Sequence, residues 1–448
     1  MLEYFYRRAS IKVSMLDNKG VYSMKKTLST MMAVGMAVSM LSACSGGDDA
    51  STADGGAFEG RGPITYVQGK DNSGKLVNII DMWNKDHPDE EVSLVELSTE
   101  ADQQRQSMIQ NAQTESDAYC VLSVDNVWVS EFAANRWIDE LPAAEFPKSE
   151  IMDPVWKTGE YRGKLYAMPH ASDGGFLYYR KDLLEQAGIT EAPKTWDDME
   201  KQCEAVRQLP GYENIGCYGG QLAKYEGLTV NVDEAIHSAG GEIVNAEGKV
   251  VVDSPQARAG LQKLIDGFKS NFIPQEALTY KEEEGRAAFE SDRLVFYRNW
   301  PYQYSLTQKT MDGKFGIAPM PGLEEGKIGA SSLGGHNAAI SSYCKNKATA
   351  LDFVKFYTSK EISDYQLKEM SLAPTYTALY DDPKNIEDYP YLPVLKASIE
   401  AAAPRPQVAN YGDVTAAIQD AVFPALKGEK TADEAIAQLS DKLNEIVK

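Results

Sequence analysis

Histidine is scarce in this chain of 448 residues: there are four, scattered along its length. No CxxC, HExxH or histidine cluster appears, so the sequence offers no zinc-type site, and neither a metal nor a cofactor is expected. No GxSxG elbow marks a serine nucleophile. Basic charge is also short, with 45 Lys and Arg against 66 Asp and Glu, a formal net charge of −21. Such a surface repels phosphate backbones and anionic headgroups, which argues against nucleic acid and against broad membrane contact. No apolar run reaches the roughly 20 residues that a bilayer-spanning helix needs.

The longest apolar stretch is short and has a particular setting. Residues 27–40 follow Lys25-Lys26 and end in Leu41-Ser42-Ala43-Cys44-Ser45. A basic start, an apolar middle and small residues at the cut make a secretory signal. The cysteine directly after the cut resembles the bacterial lipobox, whose cysteine carries diacylglycerol and fatty acyl (palmitate-type) chains. Residues 1–43 therefore read as a signal peptide, with 1–23 an upstream extension if Met24 is the start. Residues 44–62, rich in Gly, Ser and Asp, read as a flexible tether. Six basic and two acidic residues lie in 1–43, so their removal makes the rest still more acidic. The expected location is the outer face of a bacterial cytoplasmic membrane, through a lipid on Cys44.

Five cysteines are present. With Cys44 lipidated, an even four remain for an oxidising compartment. Cys203 and Cys217 flank the Pro210-Gly211 turn, which favours a bridge between them. Whether Cys120 and Cys344 pair is open, because sequence does not give their separation in space.

From Pro63 onward short apolar strands alternate with amphipathic helices. Residues 64–68, 92–97 and 119–124 read as strands, and Leu76, Ile79, Ile80 and Trp83 recur at helical spacing between the first two. Further strands are expected at 163–170, 175–180, 294–297 and 337–341, and a helix opens at Thr195 with Asp198 three residues on. A β-α-β-α order implies an α/β fold with an open, mostly parallel sheet, whose ligands gather beyond the carboxyl ends of the strands. The length suggests two lobes rather than one core.

Several segments together resemble the family 1 extracellular solute-binding proteins of sugar ABC importers, nearest the trehalose/maltose-binding branch. They are Met82-Trp83-Asn84 with His87-Pro88, Val127-Trp128-Val129-Ser130-Glu131-Phe132, Gly175 to Leu184, and Pro193-Lys194-Thr195-Trp196. Tyr225-Glu226-Gly227-Leu228, Arg298-Asn299-Trp300-Pro301-Tyr302 and Leu333-Gly334-Gly335 follow, then Phe353-Val354-Lys355-Phe356 and Ala403-Pro404-Arg405-Pro406. The order of these pieces over residues 63–448 carries the resemblance. It implies a two-lobed periplasmic-binding-protein fold (type II, maltose-binding-protein-like) with a hinge and a sugar cleft between the lobes. The first lobe would hold 63–168 and 317–360, the second 169–316 and 361–448.

A sugar presents vicinal hydroxyls at its edge and C–H bonds on its faces, so carboxylates, arginine forks and aromatic rings suit it. Asp71, Asp125 and Asp173 follow strands and are either ligand carboxylates or turn and helix caps. Asn72 stands as a substitute for Asp71. Trp300 and Tyr302 surround a strand-breaking proline, which favours a cleft over a core. The resemblance adds Arg105, Gly334 and Gly335 as sugar contacts, and Arg405, held rigidly between two prolines, is a further candidate. Two departures stand out: the relatives' aromatic after Gly-Gly is His336 here, and the ring two residues before Asp173 is Ala171. Lost ring area implies a bulkier or different glycoside than trehalose or maltose.

The leading expectation is a monomeric, non-catalytic receptor that hands an α-linked di- or oligosaccharide to a permease. A glycoside hydrolase using two carboxylates and a receptor for a non-sugar polyol are the alternatives.

Overall fold

The computed structural model describes residues 58–245, 247–323 and 329–447. The expected signal peptide, Cys44 and the tether as far as residue 57 lie outside this range. The strands are β1 (Ile64–Gly69), β2 (Val92–Leu97), β3 (Val121–Asp125), β4 (Glu160–Tyr161), β5 (Lys164–Leu165), β6 (Ala167–Gly174), β7 (Phe176–Tyr179), β8 (Gly216–Gly219), β9 (Leu294–Asn299), β10 (Gly316–Ala318) and β11 (Leu333–Ile340). Two larger sheets, in the order β2-β1-β3-β11-β6 and β10-β7-β9-β8, organise nine of them, and β4 and β5 pair antiparallel as a two-stranded sheet. Each larger sheet is the centre of one lobe of a mixed α/β, two-lobed fold.

In the first lobe β1, β2 and β3 run parallel, as their intervening helices require. The helix Leu76–Asp86 buries Leu76, Ile79, Ile80 and Trp83, the residues that its periodicity marks. Strand β11 returns from far along the chain and inserts antiparallel between β3 and β6. A disulfide joins Cys120, just before β3, to Cys344, just after β11, with Cα atoms 4.6 Å apart. The pairing that the sequence leaves open is thus set by strand order.

The second lobe packs the helix Pro255–Lys269 through Leu261, Leu264, Ile265 and Phe268. The helix Trp196–Arg207 begins in the expected capping box: Thr195 Oγ1 accepts from the Asp198 N–H, and Asp198 accepts in return from the Thr195 N–H, both at 3.0 Å. Cys203 on this helix is bonded to Cys217 of β8, as expected (Cα–Cα 5.5 Å).

The lobe boundaries differ from the expected ones at three places. β6 runs on to Gly174 in the first sheet, so the chain does not change lobe at 168. Ile317 and Ala318 pair with β7 in the second sheet. The helix Lys360–Met370 joins the first lobe, held to the segment 75–78 by the pairs Lys75–Glu369 (3.0 Å) and Asn78–Tyr365 (3.0 Å). Its amphipathic pattern says that it packs, but not against which neighbour.

Candidate ligand-binding site

The carboxyl ends of β1, β3 and β6 open on a cavity of about 340 Å³ whose far wall comes from the second lobe. That volume is at the small end of ligand sites, roughly 300–1,000 Å³. Asp71, Asn72, Asp125, Asp173, Trp300, Tyr302, Gly334, Gly335, His336 and Arg405 all line it. Arg105 does not.

The floor is built by register. Antiparallel pairing sets His336 opposite Asp125 on β3 and opposite Ala171 on β6, and sets Gly334 opposite Asp173. Asp125 and Asp173 therefore flank β11 on either side of His336. Both aspartates belong to strands rather than to the loops expected for them, and β11 begins at Leu333, so the Gly-rich stretch is itself strand. Gly335 has φ of +120° and a bulge follows at His336/Asn337, which explains a glycine at that point.

Arg405 enters this floor 2% exposed. Its Nη2 donates to Asp125 Oδ1 (3.0 Å) and Asn126 Oδ1 (3.2 Å), and its Nη1 to Glu226 Oε1 (2.5 Å). Glu226 also accepts from Thr415 Oγ1 (2.7 Å) and from the Tyr411 hydroxyl. Two buried carboxylates, Asp125 and Glu226, thus share one guanidinium. Burial, joined by the charge of Asp125, pushes the Asp173 carboxyl up to about 7, and Oδ1 of Asp173 has no protein partner. Burial likewise pushes Glu226 up to about 7, with Arg405 acting against the rise. His336 is lowered by burial, and His170, bonded through Nε2 to Ser123 Oγ (2.9 Å), is held well below its usual value for the same reason.

Trp300 supplies an aromatic wall. The Arg298 guanidinium lies 3.8 Å from its ring centroid and is itself fully buried, fixed bidentately to Glu234 (2.8 and 2.5 Å). A Cβ on Gly334 would come within 2.8 Å of the indole, so the ring lies directly against the bare backbone of β11. Tyr302 is pinned by its hydroxyl to Glu283 Oε1 (3.1 Å).

Three expectations change in detail. Arg105 is consumed by a bidentate pair with Glu131 (2.8 and 2.5 Å) and packs under Gly412, so it braces the first lobe. Asp71 lines the cavity, but Ser73 N and Oγ occupy its Oδ1 (2.8 and 2.6 Å) and the N–H groups of Lys75 and Leu76 its Oδ2 (2.9 Å each). All four of its acceptor positions are spent capping the helix behind it, which is the capping alternative. Arg405 is spent on its own carboxylates, with only Nε unpartnered.

Glu226 is a site residue outside the expected set, although it stands in Tyr225-Glu226-Gly227-Leu228, a segment that carries the resemblance; an acid opening a helix is its one local signal. Gln104, Ser123, His170 and Lys281 also line the cavity. Gln104 and His170 are buried polar residues, Gln104 on a mostly polar helix and His170 on a strand of mixed character, and nothing local in sequence distinguishes them from surface groups. Among the described residues no group of three His, Cys, Asp or Glu is placed to hold a metal ion.

Two α/β lobes closing on a cavity at their strand ends, lined by carboxylates, an indole and an imidazole, define a solute receptor. The sequence matches the bacterial extracellular solute-binding proteins over residues 67–363. A probable ABC transporter-binding protein of Deinococcus radiodurans is 32% identical over 368 residues, 79% of this chain and 86% of that protein. A maltotriose-binding protein of Pyrococcus abyssi is 26% identical, over 69% of this chain and 66% of that one. Among solved structures, maltose-bound MalE3 of T. maritima superposes with a TM-score of 0.79 at 33% identity, covering 86% of this chain and 99% of that one. The chain belongs to the family of bacterial extracellular solute-binding proteins, the substrate-binding components of ABC transporters.

Proposed function

We propose that this chain is the lipid-anchored receptor of an ABC importer and captures an α-linked di- or oligosaccharide for its permease. The observation that carries the reading is the wall and floor of the cavity: a Trp300 ring braced by Arg298 beside the carboxylates Asp125 and Asp173 and the imidazole of His336. The ring covers an apolar sugar face, while carboxylates and imidazole bind edge hydroxyls. Tyr302 adds a second ring, and Asn72, Gly334 and Gly335 complete the contact surface. Asp71 and Arg405 act indirectly, by holding the helix and the floor in place. The cavity size favours two sugar rings over a long chain. Similarity to maltose- and maltotriose-binding proteins supports the α-linked class.

Capture is followed by closure about the segments that cross between the lobes, and the closed form is what the permease reads. Cys44 carries the lipid, residues 1–43 leave as the signal peptide, and the receptor works as a monomer beside its permease, where tethering raises effective concentration. A thermal-shift screen against a glycoside and polyol panel tests this. The cognate sugar raises stability by about 2.7 kcal/mol at a hundredfold excess over Kd. A flat response to every glycoside refutes the sugar reading, a response to polyols alone redirects it, and any sugar turnover overturns the receptor reading.

A further inference from the structure

The cavity repels itself. Among the described residues that line it, eight are acidic and three are basic: Lys70, Lys281 and Arg405. Arg405 is committed to the floor, so the mouth depends on another cation. Lys281 opens the helix Glu282–Glu290, which packs on β9 of the second lobe. Glu100 precedes the helix Ala101–Gln113, which packs on the first sheet. Across the gap, Lys281 Nζ reaches Glu100 Oε1 at 2.5 Å.

Both ends are set in advance. Gln103 Nε2 donates to the other oxygen of Glu100 (2.9 Å). The Lys281 ammonium stands 5.7 Å from the Tyr225 ring, and its backbone N–H is held by Glu284 (3.3 Å). Without Lys281, Glu100 would lose the cation it meets across the gap, in a mouth that Glu282, Glu283 and Glu284 also line. Other links also span the lobes: Arg405 joins Asp125 to Glu226 on the floor, behind the mouth, and at the mouth Asn72 Nδ2 meets Glu283 Oε1 at 3.4 Å, too long to replace an ion pair.

We propose that Lys281 and Glu100 are the closing residues of the cleft: their ion pair across the mouth holds the lobes together and so sets ligand affinity. The consequence for affinity rests on the receptor reading above; the closing itself does not. Neither residue needs to touch the ligand, since opening the lobes breaks the pair and closing restores it.

The test uses the ligand-free chain, so it stands whether or not a sugar is found. Small-angle scattering gives the radius of gyration, and hydrogen exchange reads the segments around residues 100 and 281. Lys281→Met and Glu100→Gln each shift the open-to-closed ratio about two- to fivefold toward open, as a partly exposed pair allows. The double reversal Glu100→Lys with Lys281→Glu restores the native radius and exchange. Raising the salt concentration opens the native protein but not Lys281→Met, because screening then has no pair left to weaken. Native radius and exchange in both single variants would overturn the proposal, as would a double reversal that behaves like the single variants.

Discussion

Replacing Arg405 by methionine keeps the bulk of the side chain and removes the only cation that Asp125 and Glu226 share. The guanidinium is 2% exposed, its partners 12% and 5%, so water cannot take its place. Three donated bonds vanish at once. Breaking a buried pair by deleting one partner costs about 3–5 kcal/mol, because a charge stays behind unpaired. The cost depends on pH, and its sign follows from Glu226. This carboxyl is already raised to about 7, so the folded state binds a proton that the unfolded state has released, and stability falls as pH rises from about 4.5 through 7. Arg405 restrains that rise. In its absence the folded value climbs further, and the deficit relative to the native chain widens above pH 7. Urea unfolding should give a deficit of about 4 kcal/mol at pH 8 and about 1 kcal/mol less at pH 6, close to the most that one proton can add between those two values. Glu226→Gln placed in the same variant should recover much of the loss at pH 8. A deficit below about 1 kcal/mol at pH 8, or one that is flat with pH, refutes the shared-guanidinium account.

Gly334→Ala puts a Cβ within 2.8 Å of the Trp300 indole and 3.0 Å of Asp173 Cβ; the ring must move, and calorimetry with the cognate sugar should show a loss of about 0.5–1.5 kcal/mol in binding while the fold persists. Arg105→Met should do the reverse, lowering the urea midpoint by an amount equivalent to about 3 kcal/mol and leaving sugar affinity unchanged, since its pair with Glu131 lies outside the cavity. Cys203→Ser opens a bridge between residues 14 apart and should cost about 3 kcal/mol on the chain-entropy model; thiol titration of the unreduced native protein should find Cys120, Cys203, Cys217 and Cys344 all unreactive.

Much of the fold was legible in local pattern. Leu76, Ile79, Ile80 and Trp83 marked a helix and its buried face, and Thr195 with Asp198 marked where another begins, because capping and amphipathicity involve residues a few positions apart. The bridge between Cys203 and Cys217 followed from a turn for the same reason. Asp125, Asp173 and Trp300 could be named as candidates from their places at strand ends, and all three line the cavity.

What each candidate does was decided only by tertiary structure. Asp71 and Asp125 look alike in sequence, yet one has every acceptor position filled by its own loop and the other shares a guanidinium donated from 280 residues away. Arg105 and Arg405 were both expected at the ligand, and each is spent on a carboxylate from a different element. His336 meets Asp125 and Ala171 only because β11 is inserted between β3 and β6. Sequence determines which side chains can bond; hydrogen-bonding capacity is finite, and which partner claims it first depends on distances that the chain sets only when it folds.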